Sequence, residues 1–98
     1  MSYDLIIHPL AQKDMKALSK TQQILVLKQF KKLKNSPQLG DPLGNKNGYN
    51  LSGCRKLYVD KKRVRIVYKI VDNQIIVEVI AIGKRDDMEV YQKASVRL

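Results

Sequence analysis

The chain has 98 residues, the size of one ordinary domain, and 44% of them are hydrophobic, which is enough for one core and argues against disorder. Nineteen Lys and Arg against nine Asp and Glu give a formal net charge of +10, so the surface should attract polyanions such as nucleic acid. One cysteine and one histidine exclude an internal disulfide and a Cys/His zinc site, and no apolar run is long enough to span a membrane.

The N-terminus lacks the charged start, apolar stretch and cleavage site of an export signal. We therefore expect a cytoplasmic protein with no membrane partner. No repeat, low-complexity segment or long linker divides the chain, so we expect a single domain over residues 1–98.

The first third of the chain predicts a strand followed by two helices. Residues 2–8 alternate loosely between apolar and polar types, as in a strand, and Pro9 suits the first turn of a helix. Ser19 and Gln22 have the spacing of a capping box at the start of a second helix, which residues 35–37 should end. The apolar positions that indicate this second helix are Ile24, Leu27, Phe30 and Leu33.

Residues 36–50 concentrate proline, glycine and asparagine and should form a surface loop. Three runs rich in β-branched and aromatic residues follow and predict a meander of antiparallel strands at about 51–60, 62–71 and 74–82. After a break at Gly83, a helical spacing of Val90, Tyr91, Ala94 and Arg97 predicts a short terminal helix. The expected fold is α+β, with the N-terminal strand and helical hairpin packed on an antiparallel sheet that contains the C-terminal meander.

A two-residue turn at Lys61-Lys62 fixes the pairing of the first two meander strands. In that register Tyr58 lies opposite Arg65, and Lys56 lies diagonal to the same arginine. Alternation then turns these three side chains away from the helical hairpin, on the face where Arg63 also points.

We therefore predict an outward basic patch that consists of Lys56, Tyr58, Arg63 and Arg65, with Lys84 and Arg85 adding charge from the end of the last strand. Arginine suits bidentate phosphate contacts, and tyrosine offers a stacking surface to a base, so the patch indicates RNA binding rather than an ordinary solvated face. On the second helix, Lys28, Lys31 and Lys32 share one side and are further candidates for contact with a phosphate backbone, although lysine-rich solvent faces are common.

The residues available for catalysis are few. The acidic residues are scattered except for Asp86, Asp87 and Glu89, which suit the N-terminus of a helix better than a metal site, so we expect no metal and no cofactor. The single histidine, His8, is interpreted as a local structural residue, and Cys54 as a structural thiol. An RNA-cleaving reaction would therefore use the 2′-hydroxyl of the RNA as nucleophile, assisted by Lys, Arg and Tyr.

Several segments of the C-terminal half resemble the RelE toxins of the bacterial RelE/ParE toxin–antitoxin superfamily. These segments are Leu51 to Cys54 with Lys56 following, Arg65 to Tyr68, Ile82 to Arg85, and Glu89 to Tyr91. The resemblance implies a toxin that is an endoribonuclease, cleaves messenger RNA in the ribosomal A site and so inhibits translation, and is neutralised by a cognate antitoxin protein.

The resemblance also implies a catalytic set of Lys56, Arg65, Arg85 and Tyr91. By analogy, Lys56 positions the phosphate, Arg65 stabilises charge in the transition state, and Arg85 contacts the scissile phosphate and the leaving oxygen. Tyr91 is the first choice as general base. A second lysine of the family pattern is replaced here by Tyr58, which could stack on a base or share the role of general base.

Two other functions stay open from the sequence. A ParE-like toxin that inhibits gyrase would share the fold without needing the arginine and tyrosine set. A non-catalytic RNA-binding module would bind messages without cutting them, and Tyr58 in place of a lysine is compatible with that interpretation.

Overall fold

The computed structural model describes residues 2–46, 48–71, 74–84 and 89–98, without the side chains of Lys46 and Glu89. The strands are β1 (Asp4–Ile7), β2 (Asp41–Pro42), β3 (Asn45–Lys46), β4 (Tyr49–Asn50), β5 (Cys54–Val59), β6 (Val64–Val71) and β7 (Ile76–Lys84). The helices are α1 (Pro9–Lys16), α2 (Lys20–Asn35) and α3 (Glu89–Arg97), and a 3₁₀ turn covers Pro37–Leu39. The predicted α+β fold is confirmed.

The starts of both N-terminal helices follow the local sequence signals. His8 precedes α1, and its Nδ1 accepts a hydrogen bond from the backbone N–H of Leu10 at 3.1 Å, which confirms its local structural role. At α2 the Ser19 hydroxyl accepts from the N–H of Gln22, and the Gln22 side chain accepts from the N–H of Ser19. The predicted capping box is therefore present, and α2 ends at Asn35 as expected.

In the described part of the chain, five strands form one sheet in the order β1-β7-β6-β5-β2. The predicted meander is confirmed, since β5, β6 and β7 pair antiparallel in sequence order. The predicted register is also confirmed, because Tyr58 pairs with Arg65. β7 extends through Gly83 to Lys84, so the predicted break at Gly83 is wrong. The first strand runs parallel to β7 at the sheet edge.

The helical hairpin covers one face of the sheet with an apolar core. From α2 this core takes Val26, Phe30 and Leu33, all buried. The predicted apolar face was partly wrong, because Ile24 and Leu27 are each about half exposed, at 51% and 50%. The buried stripe instead runs through Val26, Phe30 and Leu33, which are spaced i, i+4 and i+7 and so share one side of α2.

The opposite face of the sheet is not open to solvent along its whole length. A second apolar cluster lies there beneath α3 and consists of Leu51, Cys54, Val67, Ile80, Ala81, Val90, Tyr91 and Ala94. The predicted outward basic patch therefore shares this face with an apolar cluster and does not lie on an open sheet surface. Val67, Ile80 and Ala81 make that face apolar at its centre, and burying them against α3 removes this surface from water.

Residues 36–46 and 48–50 have more regular structure than the predicted surface loop. They contain the 3₁₀ turn, β2, which pairs with β5, and the short strands β3 and β4, which pair antiparallel with each other. The buried Tyr68 fixes the start of the segment: its hydroxyl donates to the carbonyl of Pro37 at 2.7 Å and accepts from the N–H of Gly40 at 2.8 Å. A Cβ at Gly40 would come within 2.5 Å of the Lys56 carbonyl oxygen, so only glycine permits this approach to β5.

We expect Tyr68→Phe to lower the free energy of unfolding by about 1–3 kcal/mol, because two buried backbone groups lose their hydrogen-bond partner. Burial of this side chain raises the pKa of Tyr68, which keeps its hydroxyl protonated and able to donate. Urea denaturation measures the change, with Tyr49→Phe as the matched loss of a hydroxyl from a partly buried tyrosine. Equal stability of the two variants would contradict the prediction.

Candidate active site

Arg65 lies near the start of β6, the central strand of the five-stranded sheet, and is buried on the α3 side. Its strand neighbours are Tyr58 on β5 and Gly83 on β7. Its Cζ lies 5.8 Å from the centroid of the Tyr58 ring and 5.3 Å from the centroid of the Tyr91 ring on α3. With 9% of its surface exposed, Arg65 is not the outward surface residue that strand alternation predicted. Two aromatic rings hold the guanidinium at a defined position.

The Arg65 guanidinium has unused hydrogen-bonding capacity. Its Nε and Nη1 atoms are buried and have no hydrogen-bond partner among the described residues. Leaving buried donors without acceptors is costly, so natural structures rarely keep such groups unless they serve a function. Each of these N–H groups can donate to an anionic oxygen such as that of a phosphate. The arrangement is thus prepared for an oxyanion.

Tyr58 lies among three cations. The Nζ of Lys56 is 5.1 Å from its ring centroid and 3.4 Å from its hydroxyl oxygen. The Nζ of Lys62 is 5.8 Å from the same centroid, and Arg65 adds the third positive charge. We name these residues, together with Tyr91, the arginine–tyrosine cluster: Lys56, Tyr58, Lys62, Arg65 and Tyr91.

The charges of the cluster alter the acidity of Tyr58. Partial removal from water raises the pKa of the Tyr58 hydroxyl, but the hydrogen bond and charge of Lys56, together with the charge of Arg65, outweigh this effect. The result is a pKa below the ordinary value for tyrosine. Tyr58 therefore gives up its proton more readily than a free tyrosine does.

Lys62 was not predicted as a site residue. The sequence placed it in the turn, and the turn does close as a two-residue hairpin loop, with the Arg63 N–H donating to the Asp60 carbonyl at 3.0 Å. Asp60, Lys61 and Lys62 all have positive φ, at 54°, 55° and 70°, which is uncommon for residues other than glycine. This left-handed backbone brings the Lys62 ammonium close to Tyr58. The sequence does not predict such a backbone here, since Asn-Gly is the usual signal for a turn of this type.

The structure separates several of the other predicted RNA-binding residues from the cluster. Lys84 pairs with Val64 and therefore lies on the helical-hairpin side of the sheet. Arg63 is exposed in the hairpin turn next to the cluster. Three exposed lysines belong to α2 on the opposite layer, namely Lys28, Lys31 and Lys32. The predicted catalytic residue Arg85 lies outside the described residues.

An ion pair anchors the helix that supplies Tyr91. The Arg97 Nη1 lies 2.7 Å from the Asp14 Oδ2, and both side chains are more than nine-tenths buried. Asp14 also accepts from the N–H of Ile82, and Arg97 donates to the carbonyl of Ile80. The pair therefore occupies the edge of β7 beyond the end of β1 and ties α3 to both α1 and the sheet.

The described residues give little support to metal-dependent or cysteine-based catalysis. They contain no group of three His, Cys, Asp or Glu side chains placed to hold a metal ion. Cys54 is buried, as expected of a structural thiol, and burial raises its pKa, which disfavours the reactive thiolate. No helix in these parts of the chain is long and apolar enough to cross a membrane.

The chain is similar in sequence to known toxins. Residues 5–89 match the family model described as the ParE toxin of the type II toxin–antitoxin system, parDE. A putative RelE-like toxin protein of Escherichia coli is 32% identical over 98 residues, which cover 100% of this chain and 99% of the relative. The mRNA interferase toxin RelE of Escherichia coli strain K12 is 30% identical with the same coverage.

Solved structures agree with the sequence relatives. A mutant of the E. coli toxin RelE in the free state superposes with a TM-score of 0.81 at 27% identity, over 100% of this chain and 99% of that one. The same toxin mutant in complex with an antitoxin RelBc peptide gives a TM-score of 0.73 at 27% identity and the same coverage. This chain therefore belongs to the RelE/ParE superfamily of type II toxin–antitoxin toxins, and within it to the RelE toxins.

Proposed function

We propose that this toxin is an endoribonuclease that cleaves messenger RNA in the ribosomal A site and thereby inhibits translation in the cytoplasm. The observation that carries the proposal is Arg65, held between two tyrosine rings with two buried N–H groups that lack acceptors in the described structure. A phosphate of the message supplies the oxygens that satisfy them. Cleavage proceeds by attack of the RNA 2′-hydroxyl and uses no metal and no cofactor.

The roles follow from the position of each group. Arg65 stabilises the charge that develops on the phosphate oxygens, and Lys56 positions the phosphate from the neighbouring strand. By family analogy, Arg85 contacts the scissile phosphate and the leaving oxygen. The base is one of the two tyrosines of the cluster, with Tyr91 the residue that family analogy favours.

Binding of RNA extends beyond the catalytic residues. Tyr58 offers a ring to a base, while Arg63 adds charge from the hairpin turn and Lys84 adds charge at the end of β7. The three α2 lysines, Lys28, Lys31 and Lys32, lie on the other layer of the domain and contact a different stretch of ribosomal or messenger RNA. Their separation from the cluster suits a large RNA target better than a short oligonucleotide.

The protein partner is a cognate antitoxin with an acidic or amphipathic segment that folds on the toxin. A net charge of +10 favours a segment of opposite charge. We expect the complex to weaken as salt concentration rises, which titrations of the purified pair at several salt concentrations measure. Salt-insensitive binding that leaves toxicity unaltered would argue against this partner chemistry.

Mapping of message ends tests the proposed activity. We expect brief expression to arrest growth and to produce new 5′ ends within translated messages, detected by primer extension. A ParE-like toxin would instead block DNA supercoiling and leave messages intact. A non-catalytic RNA-binding module would bind RNA without producing cuts.

A further inference from the structure

We propose that Tyr58, rather than Tyr91, is the catalytic residue that takes the proton from the attacking 2′-hydroxyl. The inference rests on the proposed nuclease function and names the base of that reaction. It differs from family analogy, which places a lysine at this position and assigns Tyr91 first.

Access to substrate separates the two tyrosines. Tyr91 is 1% exposed and belongs to the apolar cluster beneath α3, where its ring contacts the Arg65 guanidinium. Tyr58 is only partly buried, on the strand next to Arg65. Tyr58 is therefore the tyrosine of the cluster that substrate can approach from solvent, whereas Tyr91 is enclosed by apolar side chains.

The surroundings of Tyr58 favour its ionised form. Lys56 on β5, Lys62 in the hairpin turn and Arg65 on β6 all place positive charge within 6 Å of the ring centroid. The Lys56 ammonium also lies 3.4 Å from the hydroxyl oxygen, where it can donate to a phenolate. From α3, the Tyr91 ring lies 5.3 Å from the Cζ of Arg65. The lowered pKa of Tyr58 is consistent with this geometry.

The proposed step is balanced in atoms and charge. The Tyr58 phenolate oxygen accepts the proton of the 2′-hydroxyl while the 2′-oxygen forms a bond to phosphorus. The bond from phosphorus to the 5′-oxygen breaks, and that oxygen takes a proton from water. The products are a 2′,3′-cyclic phosphate and a 5′-hydroxyl end, and Tyr58 returns its proton to solvent. The charge that develops on the phosphate oxygens lies near Arg65.

The variant Tyr58→Phe separates this role from base stacking, because phenylalanine keeps the stacking ring and loses only the hydroxyl. In single-turnover cleavage of messenger RNA on purified ribosomes, we expect the rate to fall by roughly 100-fold or more, as for loss of a general base. The matched control is Tyr49→Phe, a tyrosine outside the cluster, which should cleave at the wild-type rate. A near-normal rate for Tyr58→Phe would show that Tyr58 only stacks or packs.

The pH dependence of the cleavage rate tests whether Tyr58 acts as a base, because a purely structural role of Tyr58 would leave that dependence unchanged. For wild type we expect the single-turnover rate to rise with pH until Tyr58 is ionised and to level off below the ordinary pKa of tyrosine, because the neighbouring cations lower that pKa. This rise should be lost in Tyr58→Phe. We also expect Tyr58→Lys, which supplies an amine in place of the phenol, to cleave faster than Tyr58→Phe at alkaline pH.

The outcomes distinguish the two proposals. If wild type makes no cuts in messages on ribosomes, the nuclease function fails and the assignment of the base fails with it. If wild type cleaves while Tyr58→Phe keeps both the rate and the pH profile, only the assignment to Tyr58 is overturned. A large loss confined to Tyr91→Phe would assign the base to Tyr91.

Discussion

Replacing Arg65 by methionine should lower the single-turnover rate of message cleavage by roughly 100-fold or more, the range measured when one donor to a developing oxyanion is removed. Methionine keeps an unbranched side chain between the Tyr58 and Tyr91 rings, whereas alanine would leave a space there. The effect should lie in the chemical step, because in the proposed mechanism Arg65 stabilises charge that develops on the phosphate oxygens in the transition state.

Ribosome affinity should change far less than the rate of cleavage in Arg65→Met. The chain keeps a strongly positive surface after the loss of one charge, and long-range attraction depends on the total. A binding titration measures the affinity, and Lys13→Met on the exposed surface of α1 is the control for removal of one positive charge. Equal losses in affinity and in single-turnover rate would indicate that Arg65 contributes to binding alone.

The burial of Arg65 changes what its replacement does to stability. As an outward strand residue it would be expected to alter the free energy of unfolding by about 0.5 kcal/mol or less. At 9% exposure it contributes packing to both tyrosine rings, so Arg65→Ala should cost more than that limit. The kinetic comparison therefore uses Arg65→Met and requires an unfolding curve that shows the variant to be folded.

Asp14→Ala should be the most destabilising of these substitutions, with a loss of about 3–5 kcal/mol in the free energy of unfolding. Removing the carboxylate leaves the buried Arg97 charge uncompensated and deprives the Ile82 N–H of its acceptor. Because Arg97 is in the last turn of α3, the loss should loosen the helix that covers Val67, Ile80 and Ala81.

Urea denaturation followed by circular dichroism measures this loss. Asp4→Ala is the control, since Asp4 is exposed on β1 and its removal changes the net charge by the same amount. A difference below about 1 kcal/mol between the two variants would mean that the Asp14–Arg97 pair contributes little, as is typical of solvent-exposed ion pairs.

Local sequence signals were sufficient for the elements that depend on neighbouring residues. The capping box at Ser19 and the proline start of α1 are satisfied within a few residues of the chain, so pattern alone predicted them. The pairing of Tyr58 with Arg65 was equally predictable, because a two-residue turn sets the register of a hairpin. The same local reasoning placed Lys56, Tyr58 and Arg65 together.

Long-range packing decided the features that local sequence signals did not predict, because packing depends on which surfaces meet and not on the spacing of residues along the chain. Strand alternation showed that Arg65 points away from the helical hairpin, but only the docking of α3 buries it against Tyr91. Asp14 and Arg97 lie 83 positions apart, and no periodicity connects them. The left-handed turn that carries Lys62 to Tyr58 breaks the usual residue preferences for such a conformation. Sequence reasoning thus brought Lys56, Tyr58 and Arg65 together. The tertiary structure added Lys62 and decided the burial and charge environment of each residue, because these are set by contacts that local spacing does not determine.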